Sequence, residues 1–233
     1  MTIEQARRQH ERRSGRPVVH ARQRAADERG AALVVAILIA ALMTAVASAL
    51  ITTSTIETLI GAAHKASQET SDAAEAAAER AIRALSALPD WSLVLTPPPA
   101  NLLAPFDDGN SAPVAPDGRR LDLSRLASTR QSASNTFYGP AVFGADSPQW
   151  RLYGHAPLGR LIPPGLAAQK AYLLVWVADD GGDGDGDPAI DANGQVMLYA
   201  EAFGQGGAHR AIEIGLGRSG PGVVRLLAWK QTR

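Results

Sequence analysis

An uncharged stretch of 26 residues, from Ala31 to Ile56, constrains this 233-residue chain more than any other feature. Its first 21 residues, Ala31 to Ile51, are Ala, Leu, Val, Ile and Met, with only Thr44 and Ser48 as polar exceptions. As a helix they would be roughly 31 Å long, which matches the hydrocarbon core of a bilayer. The sequence therefore predicts a transmembrane helix over residues 31–51.

The charges are distributed unevenly around this stretch. Residues 1–30 contain eight Arg and four acidic residues, a net charge of +4, whereas the whole chain has zero net charge. The positive-inside rule places such a basic leader in the cytoplasm and the remainder of the chain across the membrane. The chain has no cysteine, which excludes disulfides and thiol catalysis.

A second interpretation of the apolar stretch is a cleaved secretory signal. Ala47-Ser48-Ala49 has the small-residue pattern of a signal-peptidase site, so cleavage after Ala49 would release a soluble secreted protein. The long basic segment before the apolar run, and the continuation of that run through Ile56, argue for the membrane anchor instead.

The helical pattern continues beyond the membrane segment. Residues 52–88 lack proline, and their apolar positions recur every three or four residues, as at Ala77, Ala81, Leu85 and Leu88. Pro89 ends the pattern. The sequence predicts one helix over residues 31–88 with an amphipathic half at 52–88, although a break at Gly61, giving two helices, stays open.

The rest of the chain divides into two parts by composition. Residues 89–148 are rich in proline and predict an irregular connector. Residues 149–233 predict an antiparallel meander of five strands, at Gln149–His155, Tyr172–Val177, Gln195–Phe203, His209–Leu216 and Val223–Trp229. The expected fold class is α+β, with the long helix packed on this C-terminal sheet domain.

Asp183, Asp185 and Asp187 alternate with glycine in an acidic window that lacks Lys and Arg. Carboxylates at alternate positions of a flexible loop are typical of sites for hard cations, so calcium is the expected metal. The loop is not an EF-hand, since Pro188 and Gly194 occupy the positions of the turn glycine and the last ligand. A solvated acidic hairpin loop without a cofactor remains the alternative.

No catalytic or nucleic-acid-binding pattern stands out in the sequence. The five histidines are scattered, and the metalloprotease, phosphate-loop and nucleophile-elbow motifs are absent. His155 and His209 fall on strand-like runs and are interpreted as ordinary half-buried or surface residues. We expect neither an enzyme nor a nucleic-acid-binding protein.

The N-terminal region resembles that of PilX-type minor pilins of type IV pilus machinery. The resemblance rests on Arg29-Gly30-Ala-Ala-Leu-Val-Val-Ala-Ile-Leu, then Leu42-Met-Thr44, then Thr53-Ser-Thr-Ile-Glu57, then the Ala/Glu-rich helix. It implies a type IV pilin-like fold and a role in pilus assembly. It also implies insertion in the inner membrane as a single-pass protein with a periplasmic C-terminal domain.

The resemblance further implies processing and partners. A prepilin peptidase would cleave after Gly30 and leave Ala31 as the methylated mature terminus, and the partners would be membrane lipid and other minor and major pilins. Major pilins have Glu at the fifth mature position, whereas this chain has Val35. A K-type-like pseudopilin of type II secretion lacks that Glu too, so this class stays open beside the minor pilin.

Overall fold

The computed structural model describes residues 17–96, 104–162, 170–220 and 222–232, with side chains described from Gly30 onward. The chain divides into two compact units, Met1–Ile60 and Gly61–Arg233. Most of the predicted basic leader, and Pro97 to Pro99 of the connector, lie outside the described residues.

The helix α1 has the bounds Pro17–Ser86 and contributes to both units. It begins earlier than the predicted Ala31 because the leader is itself rich in Ala, Arg and Gln, which are good helix formers. Gly61 itself is helical and α1 is one helix through it, so the alternative of two helices broken there is wrong. The helix ends at Ser86, two residues before the predicted end.

The second unit contains a five-stranded antiparallel sheet in the order β1-β2-β3-β4-β5, which confirms the predicted meander. The strands are β1 Arg151–Pro157, β2 Tyr172–Asp179, β3 Gln195–Phe203, β4 His209–Gly220 and β5 Val223–Thr232. Every residue of β2 is buried, since both faces of the sheet are covered. The sequence of this strand is therefore an apolar run that is interrupted only by its last residue, Asp179.

One face of the sheet packs against the second half of α1. The helix buries a stripe of small side chains against it: Ala73, Ala74, Ala77, Ala78 and Ala81, followed by Leu85. Alternate residues of β2, such as Leu173, Val175 and Val177, complete this core. Because alanine has only a methyl group, the helix can lie close to the strands.

The end of α1 is fixed by Trp91, which is completely buried. Its indole Nε1 donates a hydrogen bond at 2.9 Å to the carbonyl of Leu85, which also accepts one from the amide of Leu88 at 3.1 Å. The short helix α2, Ser92–Leu95, follows at once and contributes Val94 and Leu95 to the core.

The other face of the sheet is covered by the helix α3, Leu123–Tyr138. Asp122 caps its N-terminus by accepting a hydrogen bond from the backbone amide of Arg125 at 3.0 Å, which lowers the pKa of the Asp122 carboxyl. Leu123, Leu126 and Ala127 pack against a second core that contains Trp150 and Trp176.

The prediction of an irregular connector over residues 89–148 is therefore wrong for residues 123–138. The prolines lie outside this window, and the window itself has neither proline nor glycine. A short helix α4, Pro140–Phe143, and a 3₁₀ turn, Gly144–Asp146, lead from α3 toward β1.

Candidate functional site

The first candidate site is the apolar surface of α1 within the first unit. From Gly30 to Ile60 every residue of the helix is exposed. Leu33, Leu42 and Met43 are each about two-thirds exposed, at 64%, 65% and 67%. Large apolar side chains in such number need a nonaqueous partner, and this segment belongs to a helix long and apolar enough to cross a membrane.

Most hydroxyl groups in this segment donate a hydrogen bond to a carbonyl of the same helix. Thr44 Oγ1 donates to the carbonyl of Ala40 at 2.8 Å, and Ser48 Oγ donates to the carbonyl of Thr44 at 2.9 Å. Thr52 repeats the pattern with the carbonyl of Ser48. A hydroxyl that is bonded to its own helix costs little to place in hydrocarbon, so these residues are compatible with a membrane span.

The residues predicted for processing lie at the described start of this surface. Gly30 and Ala31 are exposed on consecutive helical positions, and Val35 is 54% exposed one turn later. No carboxylate lies between Gly30 and Ile56, as the sequence already shows. The segment therefore offers other molecules an uncharged, largely apolar surface, most of whose hydroxyls are bonded within the helix.

The second candidate site is an acidic cluster in the second unit. Asp183 and Asp185 come together with Asp146, and one carboxylate oxygen of each lies within 4.8 Å of the others. Asp187, the third residue of the predicted set, is not part of this cluster. Its Oδ1 instead accepts a hydrogen bond from the amide of Ala189 at 3.0 Å.

Asp179 lies at the end of β2, immediately before the acidic loop, and is fully buried. Neither of its carboxylate oxygens has a hydrogen-bond partner among the described residues. Burial, followed by the negative charge of Asp183, raises the pKa of Asp179 to about 8. Asp191 is also shifted, because burial raises the pKa of its carboxyl.

Neither the position of Asp146 beside Asp183 and Asp185 nor the burial of Asp179 was predicted from the sequence. Asp146 is separated from Asp183 by β1 and β2, so no spacing rule connects the two residues. Asp179 falls inside the acidic window that the sequence identifies, but only its place at the end of a buried strand distinguishes it from its neighbours.

A third group of side chains joins Asp107, Asp108, His155 and Tyr172. The two ring nitrogens of His155 each lie 3.3 Å from a carboxylate oxygen, Nε2 from Asp107 and Nδ1 from Asp108. The hydroxyl of Tyr172 lies 2.9 Å from Nδ1 of His155 and donates to Asp108 Oδ2 at 3.0 Å. The members of this group bond one another, so they hold the loop that contains Asp107 and Asp108 against strands β1 and β2. The sequence did not predict this contact for His155.

The fold and the exposed helix together define a class. A long N-terminal helix, apolar in its first part and packed on an antiparallel sheet in its second, is a pilin-like α+β architecture. Residues 29–79 match the family model described as PilX N-terminal. This match supports a PilX-type pilin and confirms the resemblance, which the sequence predicted from residues 29–88.

The remaining comparisons are negative. No curated protein and no solved structure matches the chain significantly. The likeness to PilX-type pilins therefore rests on the helix α1 and on the architecture of the second unit.

Proposed function

We propose that this chain is a minor pilin of a type IV pilus-like system and takes part in pilus assembly. In this proposal residues 31–51 hold it in the inner membrane with the N-terminus in the cytoplasm, and the second unit is periplasmic. The observation that carries the proposal is the PilX N-terminal match over a helix whose apolar side chains are exposed.

Assembly in this proposal is an exchange of one apolar environment for another. The apolar helix would leave the lipid and enter a filament core made of similar helices. Because lipid tails are as apolar as the helix, close packing rather than water exclusion would have to favour the filament. Eight alanines within residues 31–51 suit that packing, since small side chains let helices approach closely.

The identity of residue 35 favours a minor subunit over the main repeating one. A carboxylate inside a bilayer costs several kcal/mol on some estimates, so where it is present it needs a charged partner, such as the amino terminus of a neighbouring pilin. Val35 has no charge and forms no such pair. This chain would therefore join the filament at few positions, such as its tip. It would do so without the charge pair that a carboxylate at residue 35 forms with the amino terminus of a neighbouring pilin.

Two other functions from the sequence analysis compete with this one. A K-type-like pseudopilin of type II secretion shares the uncharged fifth mature position and is favoured by the acidic cluster. A soluble secreted protein would require cleavage after Ala49, which lies in the middle of α1. The three functions predict different mature termini or different filaments, so they are separable by experiment.

The first test is the mature N-terminus of the chain expressed in a piliated host, measured by mass spectrometry with and without prepilin peptidase. The proposal predicts a methylated Ala31, lost when the peptidase is deleted or when Gly30→Leu blocks the site. Ala49→Leu, which removes the alternative signal-peptidase site, serves as the matched control and should leave processing unchanged. A terminus at Leu50, or an uncut chain in the wild type, would overturn the pilin pathway.

A further inference from the structure

We propose that strand β5 is a docking edge for an extended, acidic segment of another protein chain, which adds to the sheet as a sixth strand. The docking edge consists of Val223–Thr232, the last strand of the meander. It lies entirely within the second unit. This docking does not require the proposed function, because the apolar half of α1 takes no part in it.

The β1 edge of the sheet is covered by the chain itself. The amide of His155 donates to the carbonyl of Phe106 at 3.1 Å, and the carbonyl of His155 accepts from the amide of Asp108 at 3.2 Å. A Cβ on Gly154 would lie 2.8 Å from the carbonyl oxygen of Phe106, so the covering segment is in close contact with the strand. Proteins commonly cover a free sheet edge in this way, because its open hydrogen-bonding groups otherwise recruit other strands.

The β5 edge has no comparable cover within the described ranges. One side of β5 pairs with β4, from Ala211 with Thr232 to Gly220 with Val223. No backbone hydrogen bond joins its other side to a described segment. The outward amides and carbonyls of a ten-residue strand are therefore free to bond a further strand, which is a common way for proteins to bind extended peptides.

Large apolar side chains of β5 are exposed on both faces of the sheet. Trp229 and Leu226 pair with residues of the core beneath α1, yet they are 48% and 58% exposed. Leu227 is the extra residue of a bulge in the pairing with β4, and its side chain lies over Gly217 on the opposite face. A further strand would place its own side chains beside these and cover them on both faces.

The same bulge brings the two basic residues of β5 onto one face. Arg225 pairs with Gly217, and Lys230 pairs with Glu213, whose side chain points to α3. Side chains alternate along a regular strand, so residues five positions apart would otherwise lie on opposite faces. A segment paired with β5 therefore meets two positive charges on the same face.

These two charges determine the kind of strand that fits. Glu213 is already paired with Arg130 at 2.7 Å, and neither Arg225 nor Lys230 forms an ion pair with a described residue. Both basic side chains are exposed, and residues 223–233 contain no acidic residue. Opposite charges on paired strands stabilise the pair and like charges destabilise it. The docking edge therefore favours an acidic strand and disfavours the equally basic β5 of a second copy.

The open backbone distinguishes a protein partner from a lipid surface. Trp, Leu and basic side chains also suit the surface of an anionic membrane. In hydrocarbon, however, the outward amides and carbonyls of β5 would have no partner, which is unfavourable enough that open sheet edges do not occur there. A strand from another chain bonds these groups and covers the apolar side chains at the same time.

The test measures, by fluorescence anisotropy, the binding of labelled ten-residue peptides to the full chain in detergent micelles. In the acidic peptide Glu alternates with Val and Thr, the basic peptide has Lys at each Glu position, and a third peptide is the acidic one with a central proline. We expect the acidic peptide to bind at least about tenfold more tightly than the other two, since Lys repels the edge and proline interrupts the ladder. Hydrogen exchange should show that the acidic peptide protects amides of β5 and not those of β1.

Arg225→Gln/Lys230→Gln should remove the preference, so that the acidic and basic peptides bind within about twofold of each other. Arg125→Gln/Arg160→Gln is the matched control, because it removes two exposed basic residues away from β5, and it should keep the preference. The proposal is overturned if the acidic peptide does not bind at millimolar concentration, if it binds without protecting β5, or if the control loses the preference too. Protection of β5 by nanodiscs of anionic lipid but not by the acidic peptide would instead show a membrane contact and would also overturn it.

Discussion

At the scale of single residues, Gly204 lies in close contact with Thr70 of α1. A Cβ built on this glycine would overlap Thr70 Oγ1 and lie 3.3 Å from Thr70 Cβ. Thr70 Oγ1 is itself held, because it donates a hydrogen bond to the carbonyl of Ala66 at 2.6 Å. Glycine at 204 is thus required by contact with the helix and not by backbone conformation, since its φ is −104°.

We therefore predict that Gly204→Ala destabilises the second unit by about 1–3 kcal/mol, the usual cost of overpacking a close contact. Chemical unfolding of the full chain in detergent, followed by tryptophan fluorescence, measures the change. In a Thr70→Ala background part of this loss should be recovered, because the nearest atom is then gone.

Gly220→Ala is the matched control, since a Cβ on that glycine of β4 would meet nothing within 4 Å. We expect its free energy of unfolding to stay close to that of the wild type. If Gly204→Ala lowers the free energy of unfolding by the same amount in the wild type and in the Thr70→Ala background, the contact with Thr70 is not what excludes a side chain at residue 204.

At the scale of elements, one side chain fastens α3 to the sheet. Arg130 Nη2 donates to Glu213 Oε2 at 2.7 Å, and both side chains are mostly buried. The guanidinium carbon also lies 4.2 Å from the ring centroid of Trp150 and 3.7 Å from that of Tyr199. The charge is thus paired on one side and stacked on aromatic faces on the other.

Replacing Arg130 with methionine should lower the free energy of unfolding by about 2–4 kcal/mol, because Glu213 then keeps a largely buried charge without its partner. Part of the loss should return in the double variant Arg130→Met/Glu213→Gln, where the unpaired charge is also removed. Arg125→Met, on an exposed position of the same helix, is the control and should change stability little. A similar loss in both single variants would contradict the role given to Arg130.

Elements with a regular apolar period were predictable from the sequence. The pattern places β3 at its observed bounds, Gln195–Phe203, and identifies all five strands, because alternation and turn residues are local signals. The helix α3 escaped prediction because its sequence, rich in Ser and Thr, has low helix propensity. Its stability comes from the cap at Asp122 and from tertiary contacts such as Arg130 with Glu213, which no local pattern contains.

The acidic cluster was predictable only in part for the same reason. Asp183 and Asp185 are two residues apart, so their proximity follows from the sequence. Asp146 reaches them because β1 and β2 pair antiparallel and bring the turn before β1 beside the loop after β2. That contact depends on strand order and register, which set distances between residues far apart in the chain.

At the scale of the whole molecule, the two halves of α1 differ in what covers them. The sheet buries the small residues of the second half, such as Ala77 and Ala81, whereas the side chains from Gly30 to Ile60 are exposed. A surface of this kind is stable only in lipid or against other apolar helices. In the proposed function the same residues would contact two partners in turn, first the membrane lipid and then the other helices of the filament.

The most direct measurement of this claim is site-specific photo-crosslinking in a piliated host, with a diazirine amino acid at Leu42 and, as control, at the fully buried Leu85. Sheared pili and membranes are analysed separately by mass spectrometry. We predict that position 42 forms adducts with other pilins in the pilus fraction and with lipid in the membrane fraction, while position 85 forms none with other chains. Absence of the chain from pili, or adducts of position 42 with lipid alone, would contradict it.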